Sequence, residues 1–236
     1  MIGKISTGSY DLNKWLFGGY EEGVITMIAG PAGSGKTNFC ILAACSQAKR
    51  GKKVIFVDTE GGFSSERVRQ LVGEEYETVL GNIFLLEPTS FDEQKKCFIK
   101  LLEQIKKEHV GLIVIDGMAM LYRLELGSER ETKEINKEIS HQMRMLAEIS
   151  RKQKIPILIT NQVYSEFLSE EEWQKGVKKE VKIVGGDLLK YWSKCIIELR
   201  NDGGKRKACL LKHRSLPQKE MSFEIKNKGI FRKGWI

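Results

Sequence analysis

Residues 30–37 read Gly30-Pro31-Ala32-Gly33-Ser34-Gly35-Lys36-Thr37, which fits the pattern G-x-x-x-x-G-K-[ST] in full. Glycines in such a loop let backbone N–H groups turn inward and surround phosphate oxygens. A helix that begins near Lys36 points the positive end of its dipole at the same anion. Lys36 can reach the β- and γ-phosphates, and the Thr37 hydroxyl can bind Mg²⁺. The sequence therefore predicts a nucleotide and Mg²⁺ site at residues 30–37.

Apolar runs alternate with amphipathic stretches on both sides of this loop. Residues 91–108 and 133–152 carry apolar side chains at helical spacing. Repeated alternation of strands and helices predicts an α/β fold, with a mostly parallel central sheet and helices on both faces. The predicted strands are residues 24–29, 53–58, 83–86, 111–116 and 156–160, and the predicted helices are residues 36–50, 64–71, 91–108 and 133–152.

The pattern changes after Gln162. Residues 164–183 are polar and mixed in charge, which predicts a long loop, and long loops in compact domains are often functional. Three further apolar runs follow, at residues 194–199, 207–211 and 221–225, with glycine-containing turns between them. We expect these strands to extend the sheet in antiparallel fashion.

Composition excludes several classes of protein. The 236 residues are 41% hydrophobic, enough for one sizeable core. No apolar run is long enough to cross a bilayer, and no signal-peptide pattern is visible, so we expect a cytoplasmic protein without membrane association. The five cysteines form no C-x-x-C pair and the three histidines are isolated, which argues against a structural zinc site and suits a reducing compartment.

Positive charge is concentrated at the C-terminal end. Residues 200–236 hold 11 Lys or Arg against 3 Asp or Glu, whereas residues 1–199 hold 28 of each sign. The whole surplus of +8 therefore lies on the last 37 residues. Such a surface suits a polyanion such as nucleic acid. An ordinary solvated basic face is the alternative.

Two acidic positions follow buried strands. Asp116 ends the run Leu112-Ile113-Val114-Ile115, which suits the Mg²⁺-holding aspartate of nucleotide-binding loops of this kind. Glu60 follows the strand at residues 53–58 and could orient or deprotonate a water beside the γ-phosphate. Asp58 is the competing carboxylate, although it could instead cap the next helix, and spacing alone leaves the choice between the two open.

Taken together, these motifs resemble the RecA-family recombinases. The resemblance runs from Thr7-Gly8 almost to Gly229-Ile230, and it implies one RecA-like P-loop ATPase core over residues 1–236. Besides the P-loop it rests on Val57-Asp58-Thr59-Glu60-Gly61, Glu66-Arg67, the Asp116 strand, Tyr122-Arg123, Thr160-Asn161-Gln162-Val163, Gly185-Gly186 and Lys212-His213-Arg214.

The resemblance implies a role for each matching residue, with ATP and Mg²⁺ as cofactors. Lys36 and Thr37 would hold phosphate and Mg²⁺, Asp116 would hold Mg²⁺, and Glu60 would activate water. Gln162 would sense the γ-phosphate and pass its state to the following loop. Arg67 would lie beside the adenine base. The alternative is that Arg67 is an ordinary surface residue of a helix.

The basic strand end Lys212-His213-Arg214 differs from the recombinase pattern. It resembles KaiC-like relatives of the family, in which the corresponding strand end contacts the phosphate of a neighbouring subunit. Lys212 and Arg214 are accordingly candidate nucleotide contacts in trans. Basic residues on an edge strand are the alternative.

DNA contacts in this family come from two loops. The first would be residues 124–132, with Arg123 and Arg130 as candidates. The second would be residues 164–184. This segment carries five glutamates against four lysines, so by itself it should bind phosphate poorly. We therefore add part of the basic C-terminal region. The lysines of the second loop are Lys175, Lys178, Lys179 and Lys182, and the C-terminal candidates are Lys205, Arg206 and Lys207.

Two departures from the full-length recombinases shape the functional expectation. We expect no helical N-terminal DNA-binding domain, and no Phe-x-x-Ala motif precedes the core. Both favour an accessory protein that binds single-stranded or branched DNA, modulates the main recombinase RadA and hydrolyses ATP weakly. A junction-cleaving nuclease and a second copy of the chain are further expected partners. The alternatives are an autonomous strand-exchange recombinase and a KaiC-like signalling ATPase without nucleic acid.

Overall fold

The computed structural model describes residues 3–125, 129–165, 181–183 and 186–234. The strands are β1 Lys4–Ile5, β2 Tyr20–Glu21, β3 Ile25–Gly30, β4 Lys53–Asp58, β5 Ile83–Leu86, β6 Val110–Asp116, β7 Ile157–Ser165, β8 Val181–Ile183, β9 Ser193–Asp202, β10 Lys205–Lys212, β11 Lys219–Lys226 and β12 Gly229–Arg232. The helices are α1 Tyr10–Trp15, α2 Lys36–Ala48, α3 Ser65–Val72, α4 Tyr76–Leu80, α5 Phe91–Lys107, α6 Met120–Leu124, α7 Glu129–Gln153 and α8 Gly186–Trp192.

The central sheet has the strand order β12-β11-β10-β9-β3-β7-β6-β4-β5. The six strands from β9 to β5 in this order are parallel. β10, β11 and β12 continue the sheet in antiparallel fashion. The predicted α/β fold, with a mostly parallel RecA-like sheet and C-terminal antiparallel strands, is confirmed.

The expectation that residues 194–199 lie antiparallel in the sheet is wrong. They belong to β9, which runs parallel to β3 with Ala29 beside Glu198. Parallel neighbours need a long crossover connection, and α8 lies in the connection that precedes β9. The antiparallel part of the sheet therefore begins one strand later, at β10.

Helices cover both faces of the sheet. On one face α1 to α4 pack over a core that includes Phe39, Phe56 and Phe223, with the rings of Phe39 and Phe223 at 5.3 Å. On the other face α5 to α8 enclose a second core around Phe98 and Met143. The central strands are buried on both sides, which is why they read as continuous apolar runs.

The ends of the predicted long loop are strands in the structure. β7 continues to Ser165, and β8 pairs with it in antiparallel fashion, with Val163 opposite Ile183. Residues 166–180 lie outside the described part of the chain. The prediction of a loop over residues 164–183 therefore fails at its two ends and is not tested between them.

The parallel strands bring the predicted site residues to one edge of the sheet. Gly30 at the end of β3 is paired with Gln162 of β7, and Asp58 at the end of β4 is paired with Asp116 of β6. In open α/β sheets ligands bind at the carboxyl ends of the strands.

Candidate nucleotide-binding site

The loop between β3 and α2 has the backbone geometry of an anion cradle. Gly33 has φ +70° and Gly35 has φ +104°, values that residues with a Cβ atom rarely adopt. Gly35 is the N-cap of α2 and supplies no side-chain cap, so the first N–H groups of the helix need an outside acceptor. The buried Ser34 hydroxyl likewise has no hydrogen-bond partner among the described residues. These donors suit a phosphate.

Lys36 is folded into this loop. Its side chain is buried, and Nζ donates to the carbonyl oxygens of Gly30 at 3.0 Å and Pro31 at 3.1 Å. Burial lowers the pKa of Lys36, while the nearby carboxylates of Glu60 and Asp116 raise it. A buried ammonium surrounded by weak carbonyl acceptors is well prepared for a stronger anionic partner.

The carboxylate of Asp116 is buried at the end of β6. Oδ1 accepts a hydrogen bond from Thr160 Oγ1 at 2.5 Å, whereas Oδ2 has no hydrogen-bond partner among the described residues. Burial raises the pKa of Asp116, and the hydroxyls of Thr160 and Thr37 lower it. An unpartnered carboxylate oxygen near the Thr37 hydroxyl is an oxygen donor set of the kind Mg²⁺ prefers, so these residues fit the ion that the sequence predicts.

Thr160 is a positioning residue that sequence reasoning did not single out. Besides its bond to Asp116, its Oγ1 accepts from the backbone N–H of Gly117 at 2.7 Å. It thereby fixes the end of β6 against β7. The signal was present in the quoted motif at residues 160–163, but nothing local to it indicates a contact with Asp116.

The structure separates the roles of the two carboxylates at the end of β4. Asp58 is buried and accepts from the backbone N–H groups of Glu60, Gly62 and Phe63 at 3.2, 3.2 and 2.7 Å. It therefore shapes the loop and does not cap the next helix. Ser64 provides that cap.

Glu60 lies over the P-loop cavity and contacts β7. Its Oε2 accepts a hydrogen bond from Gln162 Nε2 at 3.2 Å. Glu60 lines a cavity of about 440 Å³ together with Lys36 and Thr37. It also borders a smaller pocket that includes Gln162 and Arg123. The residues predicted to act on the γ-phosphate are thus brought together.

The Arg67 guanidinium makes four hydrogen bonds, which link α3 to α2 and to the end of β11. Nε donates to Asn38 Oδ1 at 2.8 Å, and the two terminal nitrogens donate to the carbonyls of Asn227 at 3.0 Å and Lys226 at 2.9 Å. A further bond goes to Gln70. Partial burial lowers the pKa of Arg67. It is therefore not a plain surface residue, and its position beside Asn38, directly after the P-loop, is compatible with the predicted place near the base.

The three C-terminal DNA candidates do not share one surface. Lys205 and Lys207 are exposed, and Lys207 Nζ lies 3.4 Å from a Glu220 carboxylate oxygen. Arg206 instead lines the P-loop cavity. Their adjacency in sequence predicted one basic cluster, but neighbouring residues of a strand point to opposite faces of the sheet.

Lys212 and Arg214 lie at the other end of the sheet from the P-loop. Lys212 Nζ donates to the carbonyl of Lys190 at 2.8 Å. The Arg214 guanidinium donates twice to Glu21 Oε2, at 3.0 and 2.8 Å. As contacts to the nucleotide of their own chain these two residues are excluded, because β10 runs away from the P-loop toward them.

The loop candidates for DNA contacts are only partly covered by the structure. Arg123 is half-buried in α6 and borders the small pocket beside Glu60 and Gln162. Arg130 belongs to α7 and Lys182 to β8, but their side chains are outside the described part, as are Lys175, Lys178 and Lys179.

Comparison with known proteins identifies the relatives of this chain. The Rad51 family description matches residues 1–233. A "DNA repair and recombination protein RadB" of Methanobrevibacter smithii is 43% identical over 232 residues, which cover 96% of this chain and 95% of the relative. The RadB of Methanosphaera stadtmanae is 40% identical over 93% of this chain and 92% of the relative, and that of Methanocaldococcus jannaschii is 38% identical over 93% and 98%.

These matches confirm the resemblance on which the sequence reasoning relied. Within the RecA family the quoted motifs point to RadB, the short archaeal paralogue of RadA, and the relatives carry that name. Across the residues that the structure describes, no helix has the length and apolar character that a membrane crossing needs.

Proposed function

The chain belongs to the Rad51 family, in its RadB group, and from this membership we propose that it is a DNA repair and recombination protein that binds ATP with Mg²⁺. It acts as an accessory factor of the main recombinase RadA, and its hydrolysis of ATP is weak. DNA, RadA, a junction-cleaving nuclease and a second copy of the chain are its proposed partners. The relatives are named as recombination proteins, which favours this role over a KaiC-like signalling ATPase.

The structural observation that carries the ATP-dependent part of this proposal is the hydrogen bond between Glu60 and Gln162. It connects the P-loop cavity to β7, and β7 leads directly into residues 166–180, part of the segment in which the family resemblance implies a DNA-contacting loop. A nucleotide in the cavity that competes for Glu60 would therefore release the Gln162 side chain, close to the point where residues 166–180 begin. The nucleotide then works as a conformational ligand more than as a fuel.

Each site residue has a proposed part in this scheme. Lys36 binds the polyphosphate, Thr37 and Asp116 hold Mg²⁺, and Glu60 orients a water and accepts its proton. Bound ATP with Mg²⁺ supplies the phosphoanhydride bond that is hydrolysed. Gln162 reports whether Glu60 is engaged.

Nucleotide binding is tested by Lys36→Ala. We expect loss of tight ATP binding in calorimetry with an unchanged unfolding temperature, because the variant removes the ammonium that faces the phosphates. Lys49→Ala, at the C-terminal end of the same helix, is the matched control and should bind like the wild type. Wild-type affinity in a folded Lys36→Ala protein would show that the P-loop is not the nucleotide site.

DNA binding is tested by the salt dependence of affinity. Each phosphate contact contributes about 0.9 to the slope of log K against log salt on duplex DNA, and about 0.7 on single strands. Replacing Lys205 and Lys207 by Gln should flatten the slope by up to about 1.8 on duplex DNA, from two contacts. The pair Lys175 and Lys178 should give a smaller change, because five glutamates accompany the lysines of that loop.

A matched pair of exposed lysines on α5 serves as the control, and it should leave the slope unchanged. These are Lys100 and Lys107. A larger slope change for the loop pair than for the C-terminal pair with ATP present would reverse the ranking, and would mean that ATP aligns the loop lysines with the DNA.

A further inference from the structure

The alternation of β10 turns Arg206 toward the interior. Ala208 and Leu210 of the same strand belong to the core beneath α2. Side chains two residues apart in a strand share a face, so Arg206 lies on that face too. On β11 its register partner is Phe223, a core residue whose ring packs on Phe39 of α2. Arg206 thus occupies the end of a row of inward-facing side chains on β10 that is otherwise apolar.

Arg206 reaches the P-loop from this position. It lines the cavity of about 440 Å³ with Gly33, Gly35 and Lys36. Its neighbour on the same wall, Ile225 of β11, packs so tightly on the loop that a Cβ at Gly35 would lie 2.7 Å from Ile225 Cδ1. The C-terminal hairpin, formed by β10 and β11, therefore packs against the phosphate-binding loop, with the cationic side chain of Arg206 at its edge.

The guanidinium lacks a full set of acceptors. Nε of Arg206 is buried and finds no hydrogen-bond acceptor among the residues that the structure describes. Buried polar groups in folded proteins nearly always have a partner, so this unpartnered donor, on a residue that lines the cavity, suits an acceptor that a bound ligand supplies. The carboxylate in the same cavity, Glu60, is bonded to Gln162 instead.

We propose that Arg206 is a nucleotide-binding residue of its own chain, whose guanidinium donates hydrogen bonds to phosphate oxygens of the nucleotide held by the P-loop. This inference rests on the proposed nucleotide binding and adds the C-terminal hairpin to the site. A guanidinium suits this task because its donors match the oxygens of a phosphate in geometry and charge. Lys205 and Lys207, which point away, remain candidates for DNA.

The test compares the affinities of purified Arg206→Gln and Lys205→Gln proteins for ATP, ADP and adenosine, measured with Mg²⁺ by calorimetry. The two variants lose the same charge at adjacent positions, one facing the cavity and one facing solvent. Arg206→Gln should weaken ATP and ADP binding about 10- to 100-fold, the usual worth of a hydrogen bond to a charged group, and leave adenosine unchanged. Lys205→Gln should stay within about twofold of the wild type for all three ligands.

Three results would overturn the inference. They are unchanged ATP affinity in Arg206→Gln, an equal loss in Lys205→Gln, and a loss that is as large for adenosine as for ATP. Arg206→Lys keeps the charge and provides a second reading if the glutamine variant does not fold, and it should still lose affinity because an ammonium lacks the fork of donors.

Lys36→Ala, measured in the same series, separates this inference from the proposed function. If Lys36→Ala loses ATP while Arg206→Gln keeps it, only the role of Arg206 fails. If both bind ATP like the wild type, the nucleotide site itself is wrongly assigned. Retained ATP affinity in Arg206→Gln together with weaker DNA binding would return Arg206 to the DNA surface.

Discussion

Replacing Arg214 by Met should expose how strongly the far end of the sheet depends on one ion pair. The Glu21 side chain is 4% exposed, and Arg214 donates to its Oε2 at 3.0 and 2.8 Å. Methionine keeps most of the apolar stem but removes the charge, so it leaves a buried carboxylate with its main partner gone. Removing one partner of a buried pair costs about 3–5 kcal/mol.

Partial solvent exposure lowers this figure. The Arg214 side chain is 39% exposed, so water reaches part of the pair and weakens it. We therefore expect a loss of about 2–3 kcal/mol in the free energy of unfolding. For a chain of this length about 2–4 °C of melting temperature correspond to 1 kcal/mol, so the melting temperature should fall by about 4–12 °C.

The assay is chemical and thermal unfolding at pH 7 of Arg214→Met and of a double variant that also carries Glu21→Gln. The double variant should recover most of the loss, because no buried charge remains. Arg151→Met, an exposed arginine that lines the same cavity as Arg214, should change the free energy by less than about 0.5 kcal/mol. A double variant as unstable as Arg214→Met would refute the reasoning, since the cause would then not be the charge of Glu21.

Two further predictions concern Glu60 and His213. Glu60→Gln should retain ATP binding but lose most of its hydrolysis, about 10²–10⁴-fold, because the amide cannot accept the proton of water; an unchanged rate would remove Glu60 from the mechanism. Burial lowers the pKa of His213 from its ordinary value of 6.5, although Glu21 opposes the shift. The neutral ring is also the form that is bonded, because Nδ1 accepts from the N–H groups of Ser215 and Leu216 at 3.1 and 3.2 Å. The unfolded chain therefore binds the proton first, so the free energy of unfolding should fall as the pH drops below about 6.5, and His213→Gln should flatten that fall. Equal pH profiles for the two proteins between pH 7 and 5 would contradict this.

Local patterns predicted the parts of the fold that carry their own signal. The strand at residues 53–58 is predicted at its observed bounds, and the P-loop with its flanking strand and helix lies where the glycine pattern requires. The short elements gave no such signal. β1 and β2 have two residues each, too few for any periodicity. The direction of β9 was missed because it depends on the crossover through α8, which apolar runs do not encode.

The candidate site shows the same division between local and tertiary information. The choice between Asp58 and Glu60 could not be made from spacing, since it depends on which backbone N–H groups surround each carboxylate. Arg206 was grouped with its two neighbours because they are adjacent in sequence. The alternation of β10 contained the signal that separates them, but only the packing of Ala208 and Leu210 beneath α2 says which face is inside.

The length of β10 determines how its two groups of basic residues can act. Arg206 and Lys212 are six residues apart on one strand, which corresponds to about 20 Å at about 3.4 Å per residue. Arg206 borders the P-loop cavity, so Lys212 lies about 20 Å from that cavity. Arg214 follows the end of β10 and is bonded to Glu21, at the same end of the sheet as Lys212. A contact between either residue and a nucleotide therefore requires the P-loop of a second copy of the chain. Such a contact would strengthen ATP binding as the protein concentration rises, whereas the contact proposed for Arg206 acts within one chain and is independent of concentration. Titrations of ATP at several protein concentrations thus distinguish a contact in trans, at Lys212 or Arg214, from the contact within one chain proposed for Arg206.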